Sequence, residues 1–330
     1  MSGGGDSLAL MHLAASHAAA AKFPAPIVLT VDHGLRKGSA GDARKVAGWA
    51  KALGLKAHVL TWRGDKPKRG IEAAAREARY RLMGAWMVKH GAAALCVGHT
   101  QDDQVETFLL RLARGSGVDG LSAMGALSRW PMAGFAGLTL VRPLLDRSRA
   151  ELRAYLAAAG QDWLDDPMND DPAFDRVRLR ALAPALAEAG LTAPRIAAAA
   201  AHLARARQAL DQVTQAVLAR AVRPAGDGIL LDAAALAAAP REVGLRSLAA
   251  VLMGVSGAPY RPRFEALERL FDRIAGGTLG GGATLMGCRI GPAGRGLRGS
   301  GRKDGPQVLL VRREPPRAGA APGSRSAPKS

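Results

Sequence analysis

The sequence predicts an α/β protein: a doubly wound parallel sheet over the first half, then a mainly helical region closing on a small β element. Two observations carry this expectation. Short apolar runs alternate with helix-period segments as far as about residue 160, the mark of strands buried on both faces between crossover helices. The chain also opens on Ser2-Gly3-Gly4-Gly5-Asp6-Ser7, which passes at once into the apolar Leu8-Ala9-Leu10-Met11. Glycines let a backbone approach a ligand closely, and the N–H groups of a helix start have no partners of their own. Such a junction suits phosphate.

The elements follow in order. A helix is expected over 7–22, ended by Pro24 and Pro26. The apolar run 27–31 is a buried strand, and Asp32-His33-Gly34-Leu35-Arg36 lies at its carboxyl end, where open α/β sheets place ligands. A helix over 40–53, a strand over 56–61, a basic loop over 63–69 and a helix over 71–90 come next. On that helix Glu72 with Arg76 and Glu77 with Arg81 have i,i+4 spacing, the pattern of a solvated, salt-bridged face. A third strand over 95–97 ends at Gly98-His99.

The densest polar stretch is Gly98-His99-Thr100-Gln101-Asp102-Asp103-Gln104-Val105-Glu106-Thr107. Thr100 and Asp103 read as a capping box. By helical spacing Asp102 and Glu106 share one face, and His99 and Asp103 another. Such carboxylates hold Mg²⁺ through oxygen or attract a cationic amine. Arg114-Gly115-Ser116-Gly117-Val118-Asp119-Gly120 contains G-x-G-x-x-G but follows a helix, which excludes a dinucleotide fingerprint. It reads as a flexible loop or, equally, as a glycine turn capping the helix. A strand over 141–145 and a helix over 148–159 complete the alternation.

Residues 181–275 are alanine-rich and helical in period, with leucines and valines at core spacing and arginines between them. A hairpin over 278–290 and a strand over 307–314 close the fold, and the Pro-, Ala-, Gly-, Ser- and Arg-rich 315–330 is expected to be disordered. The domains are thus expected at 1–180 and 181–314. A net charge of +18 with a pI near 11.0 points to a polyanion, nucleic acid above all. Cys96 and Cys288 stand alone without any CxxC, which argues against zinc, dithiol and all-cysteine iron–sulfur sites and fits a reducing cytoplasm. No signal peptide and no apolar run of membrane-spanning length is seen, so no membrane partner is expected.

Residues 2–7 resemble the SGGxDS loop of the N-type ATP pyrophosphatases. Within that superfamily Val31-Asp32-His33-Gly34-Leu35-Arg36, the GHTxDDQxET stretch, the RGSGxxGL loop and Asp166-Pro167-Met168-Asn169 through Arg180 resemble successive motifs of the tRNA(Ile)-lysidine synthetases. Val177 departs from the asparagine usual there. The resemblance implies an ATP- and Mg²⁺-dependent ligase that adenylates the wobble cytidine of the CAU anticodon of tRNA(Ile) and joins free L-lysine to it. Ser2, Gly3, Gly4, Gly5, Asp6 and Ser7 would grip the pyrophosphate, with Mg²⁺ on Asp6, and Asp32 and His33 would lie beside the adenosine. His99 and Asp103 would orient lysine, and Arg176 would steady the activated nucleotide. In that superfamily the loop hangs from a buried strand, which is expected to be missing here. A homodimer is left open. Two other readings stand beside it: a tRNA 2-thiolation enzyme, against which the lack of paired cysteines speaks, and a catalytically silent RNA-binding protein.

Overall fold

The computed structural model describes residues 1–36, 38–67, 69–165, 175–294 and 308–315. The acidic loop at 166–174 and the tail from 316 lie outside the described residues. The chain divides into two compact units, Met1–Arg207 and Gln208–Ser330. The division falls inside a long helix, further along than the end of the motif run at residue 180.

The first unit runs α1 (Gly5–Ala20), β1 (Val28–Asp32), α2 (Ser39–Ala52), β2 (Ala57–Thr61), α3 (Ile71–His90), β3 (Ala94–Cys96) and α4 (Gln101–Ala113). It continues through α5 (Val118–Leu121), β4 (Leu127–Arg129), β5 (Thr139–Val141), α6 (Arg149–Ala158), α7 (Asp175–Glu188) and the start of α8 (Ala193–Ala221). β1 pairs with β2 in parallel, Val28 opposite Ala57. β3 pairs with β5 in parallel, and β4 adds to β5 antiparallel. Successive β1 side chains point to opposite faces. Val28 packs with Leu8, Met11, Leu55, Leu152 and Leu156, whereas Leu29 packs with Tyr80, Met83, Met87, Trp130 and Leu140. Helices therefore cover both faces, as the apolar strand runs require.

Local chemistry sets the helix ends. Glycines in the left-handed region bracket α3, Gly70 at φ 65° and Gly91 at φ 69°. α6 starts on a capping box in which Ser148 and Glu151 satisfy each other's backbone N–H. The strand expected at 141–145 instead ends at Val141, because Pro143 has no N–H to extend the ladder. β4 was not expected: Leu127-Ser128-Arg129 has no apolar run, and Leu127 is exposed.

The second unit holds the rest of α8, β6 (Val222–Ala225), β7 (Gly228–Asp232), α9 (Ala233–Ala237), α10 (Arg241–Ser256), α11 (Phe264–Ala275), β8 (Ala283–Leu285), β9 (Cys288–Pro292) and β10 (Val308–Arg313). The strands form one antiparallel sheet in the order β6-β7-β10-β9-β8. Its inner face packs Leu231, Cys288, Ile290, Leu309 and Val311 against Leu248 and Leu252 of α10 and Phe271 of α11. The β8–β9 hairpin turns at Met286 and Gly287, both at positive φ. The β6–β7 hairpin interrupts the helical period expected over 181–275: Pro224 and the Gly226-Asp227-Gly228 turn end helical continuation, and Pro224 is tolerated because β6 is an edge strand. No helix among the described residues is long and apolar enough to cross a membrane.

Candidate active site

The glycine-rich turn is fixed by contacts from distant parts of the first unit. Gly3 sits at φ 90°, and its carbonyl accepts from the Leu164 N–H at 2.9 Å. Ser7 Oγ donates to the Gly4 carbonyl at 2.9 Å, and Ser2 Oγ lies 3.1 Å from Ser7 Oγ. Thr30 Oγ1 donates to the Met1 carbonyl at 2.9 Å, and the Met1 amine donates to the Leu29 carbonyl. The end of β3 lies hard against the start of α1: a Cβ on Gly98 would come within 2.9 Å of the Asp6 carbonyl oxygen. α1 has no side-chain cap, so its first-turn N–H groups stay available to an anion.

Asp6, in that first turn, accepts from Arg149 Nε at 3.1 Å through Oδ2, while its Oδ1 is buried without a hydrogen bond. Burial raises the Asp6 pKa, and Arg149 only partly opposes it. Arg149 also lies 3.4 Å from Asp103 Oδ1 and 3.6 Å from Glu106 Oε1, and its backbone N–H donates to Asp102 Oδ2 at 2.7 Å. The start of α6 thus gathers Asp6 and the three carboxylates of the motif. Asp103 is further committed to the capping box: Oδ2 accepts from the Thr100 N–H at 2.8 Å and from Thr100 Oγ1 at 3.1 Å. Glu106, only 4 % exposed, accepts from Arg180 Nε at 2.6 Å through Oε1. Its Oε2 is buried without a hydrogen bond, with Arg176 Nε 3.9 Å away. A cavity of about 100 Å³ opens beside it, lined by Val105, Leu109, Leu186 and Ile196 together with Asp102 and Glu106.

His99 departs from the expected pairing. Thr100 is the cap, so His99 precedes the helix and helical spacing to Asp103 does not apply. Its Nδ1 accepts from Arg142 Nε at 3.1 Å, which leaves the proton on Nε2. Arg142 is itself fixed to the Gly125 carbonyl and Ser128 Oγ, each at 2.9 Å. Burial, opposed by Asp103 and reinforced by Arg142, Arg76 and Arg176, pulls the His99 pKa down to about 4, so the imidazole is neutral at pH 7.

At the end of β1, Asp32 Oδ1 accepts from Ser39 Oγ at 2.7 Å and from the Gly34 N–H at 2.9 Å, bonds that lower its pKa. His33 meets Trp62 edge-on, its Nδ1 is buried without a partner, and burial with Arg79 pulls its pKa to about 4. No hydrogen bond or ion pair among the described residues links Asp32 or His33 to the Asp6 cluster. On α3, Arg81 is spent on Glu77, Arg76 lies over the Tyr80 ring at 5.1 Å, and Arg79 faces His33 without a carboxylate among the described residues. The segment expected as a flexible loop over 114–121 takes its other reading, a glycine turn after α4, with Gly115 at φ 70°. It is held down: Arg111 Nη1 donates to the Gly120 and Ala123 carbonyls, and the Gln104 amide binds both the N–H and the carbonyl of Met124 at 2.8 Å.

Arg149 is the residue the sequence does not advertise. It stands in no motif, and 143 residues separate it from Asp6. The one local sign is its place just after a serine cap, where the helix start brings its backbone N–H to Asp102.

A family model described as the PP-loop domain matches residues 1–186. A tRNA(Ile)-lysidine synthase of Bradyrhizobium sp. strain BTAi1 is 43% identical over 299 residues, covering 87% of this chain and 82% of that protein. One of Methylobacterium nodulans is 44% identical over 300 residues, covering 89% and 85%. One of Wolbachia pipientis wMel is 36% identical over 314 residues, covering 94% and 69%. A U34-tRNA thiolase from Methanococcus maripaludis, solved with its 4Fe-4S cluster, aligns at 14% identity and a TM-score of 0.48 over 64% of this chain and 70% of that one, too distant to bear on activity.

Proposed function

The chain belongs to the tRNA(Ile)-lysidine synthases of the PP-loop family, and from there we propose that it forms lysidine. O2 of the wobble cytidine in a CAU-anticodon tRNA attacks the α-phosphorus of ATP and pyrophosphate leaves. The ε-amine of free L-lysine then attacks C2, and AMP departs with O2. A C2 oxygen is a poor leaving group until phosphorylated, so placement and charge stabilisation carry most of the catalysis.

The observation that carries this reading is the Arg149 cluster, which joins the phosphate turn to buried carboxylates with open oxygens. Ser2, Gly3, Gly4, Gly5 and Ser7 hold the phosphates with the α1 N-terminus. Asp6 Oδ1, buried and unpartnered, fits as one carboxylate ligand of Mg²⁺, an ion commonly held by one or two carboxylates plus phosphates. Mg²⁺ there would neutralise the phosphate charge that builds up as pyrophosphate leaves.

Glu106 Oε2 is the open acceptor for the cationic substrate, and the cavity beside it, charged at Asp102, Glu106, Arg149 and Arg180, offers the apolar side chains of Val105, Leu109, Leu186 and Ile196 to an aliphatic stem. The amine must lose its proton before it attacks, and Glu106 Oε2, the unpartnered carboxylate oxygen that receives the ammonium, is the acceptor at hand. Asp103, committed to Thr100 and Arg149, positions α4, and neutral His99 orients the substrate by donating from Nε2. Arg176, half-exposed beside Glu106, reaches the activated nucleotide. Asp32 and His33 flank the adenosine, with the His33 Nδ1 unpartnered. Sulfur transfer is disfavoured because Cys96 and Cys288 lie in different units and Cys288 is buried.

The test is incubation with unmodified tRNA(Ile) transcript, ATP and labelled L-lysine. ATP-dependent label in the RNA is expected, with one AMP released per lysine. No label under conditions where the tRNA binds would refute the reading in favour of a silent RNA-binding protein.

A further inference from the structure

Arg142 follows directly on β5 and is only 8% exposed, yet no carboxylate among the described residues pairs with it. A buried guanidinium without a counter-ion is costly, so its bonds to neutral acceptors matter. Nη1 donates to the Gly125 carbonyl and to Ser128 Oγ, and Nε donates to His99 Nδ1. The Arg142 backbone N–H donates to the Ala126 carbonyl at 2.8 Å. Backbone and side chain are therefore both tied to the residues that enter and form β4. That short strand, paired to β5 alone, holds the guanidinium still from the side away from His99.

A guanidinium donates only and keeps its proton at every working pH. The ring nitrogen opposite it must present a lone pair, and a proton on His99 Nδ1 would set two donors face to face. Histidines that act as bases are oriented the other way, by a carboxylate that accepts the Nδ1 proton and supports the imidazolium. Asp103 is the carboxylate that acts on His99, but its Oδ2 is committed to Thr100 and its Oδ1 faces Arg149. The other charges facing the ring are Arg76 of α3 and Arg176 of α7. Burial and three guanidiniums thus oppose a second proton, against one carboxylate already spent.

We propose that Arg142 is a positioning residue that locks His99 as a hydrogen-bond donor and bars it from proton transfer. The Nδ1 lone pair is filled by Arg142, and Nε2 carries the only ring proton, so the ring has no open position to receive one. What His99 offers is a fixed N–H, as a neutral imidazole does when it polarises a substrate oxygen. Such a donor serves an oxygen that gains negative charge along the reaction. The proton shed by the attacking amine goes elsewhere, to the open oxygen of Glu106. The proposal rests on the lysine-transferring reading above and removes the histidine from its acid–base steps.

The lock is read on the full chain without substrate, by NMR of the histidine ring nitrogens across pH. Wild type shows His99 as the Nε2–H tautomer alone. In Arg142→Met a second tautomer appears and the midpoint climbs by about one pH unit or more, toward the ordinary histidine value. Arg142→Lys supplies a donor that cannot accept, so the single tautomer returns, while kcat recovers only in part because lysine lacks the fixed fork. Ser128→Ala removes one tie and shifts the ring the same way by less, which keeps the test in hand if Arg142→Met does not fold. In the lysine-incorporation assay His99→Gln, with an amide N–H but no titration, keeps kcat within about ten-fold of wild type, whereas His99→Leu loses on the order of 100-fold. A wild-type ring protonated on Nδ1, or a tautomer indifferent to Arg142 in folded variants, overturns the lock. His99→Gln as inactive as His99→Leu, with wild-type kcat falling at the His99 midpoint, overturns its exclusion from proton transfer. The tautomer needs no turnover, so a locked His99 in a chain that incorporates no lysine defeats the proposed activity and leaves the lock standing.

Discussion

Replacing Arg149 by methionine keeps the side-chain length and removes the charge at the centre of the site. The side chains of Arg149 and Asp6 are each 21% exposed, that of Asp103 11% and that of Glu106 5%, so the ions are largely withdrawn from solvent. Breaking a buried pair costs about 3–5 kcal/mol, mostly from the charge left behind. Glu106 keeps Arg180 at 2.6 Å and Asp103 keeps Thr100, so the stranded charge is chiefly that of Asp6. The low end therefore applies, about 3 kcal/mol, or a fall in Tm of roughly 6–12 °C for a unit of this size. The pH dependence follows from Asp6, whose pKa is already raised and rises further without Arg149. The folded state then holds that proton more tightly than the unfolded state. Stability consequently falls as pH rises above the ordinary carboxylate value, and the deficit shrinks on acidification. The assay is urea unfolding of wild type, Arg149→Met, Asp6→Asn and the double variant between pH 4 and pH 8, with the cycle giving the coupling. A loss below about 1 kcal/mol, or a coupling near zero, would refute the claim that Arg149 is the counter-charge of Asp6.

Other expectations are simpler to state. His33 and His99 titrate near pH 4 by NMR, and the His99 pattern shows the Nε2–H tautomer; a midpoint near 6.5 for His99 would contradict its burial against Arg142. Since the folded pKa of His99 lies below the unfolded value, stability gains with pH between about 4 and 6.5, and His99→Gln flattens that part of the rise. Gly98→Ala drives a methyl into the Asp6 backbone, so ATP affinity drops at least ten-fold by calorimetry, whereas Gly117→Ala, with open space around it, leaves ATP affinity alone. Gln104→Ala removes two bonds to Met124 and costs about 1–3 kcal/mol, read as a lower Tm together with faster proteolytic cleavage in the 114–121 segment.

Local signals made much of the fold legible. The helices over 71–90 and 148–159 follow from their period and agree with α3 and α6, and the Thr100–Asp103 capping box announced α4. β4 was invisible because three residues with one exposed leucine carry no pattern, and only pairing to β5 makes them a strand. The β6–β7 hairpin was overlooked because alanine on both sides hid the Gly226-Asp227-Gly228 turn. In the site, the polar residues of the third motif could be named but not connected. His99 stands one residue before the cap, where helical spacing fails, and its partner Arg142 comes 43 residues later. Arg149, a long-range counter-charge, leaves only its place after the Ser148 cap as a local sign, and nothing in that window names its partners.

The anchors of the phosphate turn also fix when it can form. Residues 2–7 are synthesised ahead of every one of these anchors: Leu29 and Thr30 come first, then Gly98, then Arg149, and last the N–H of Leu164. At about 5–20 residues per second, the turn waits many seconds between its synthesis and its final contact. Nascent chains stalled before residue 164 leave the Gly3 carbonyl without its donor, so ATP protection of the turn against protease should switch on only once that residue has emerged.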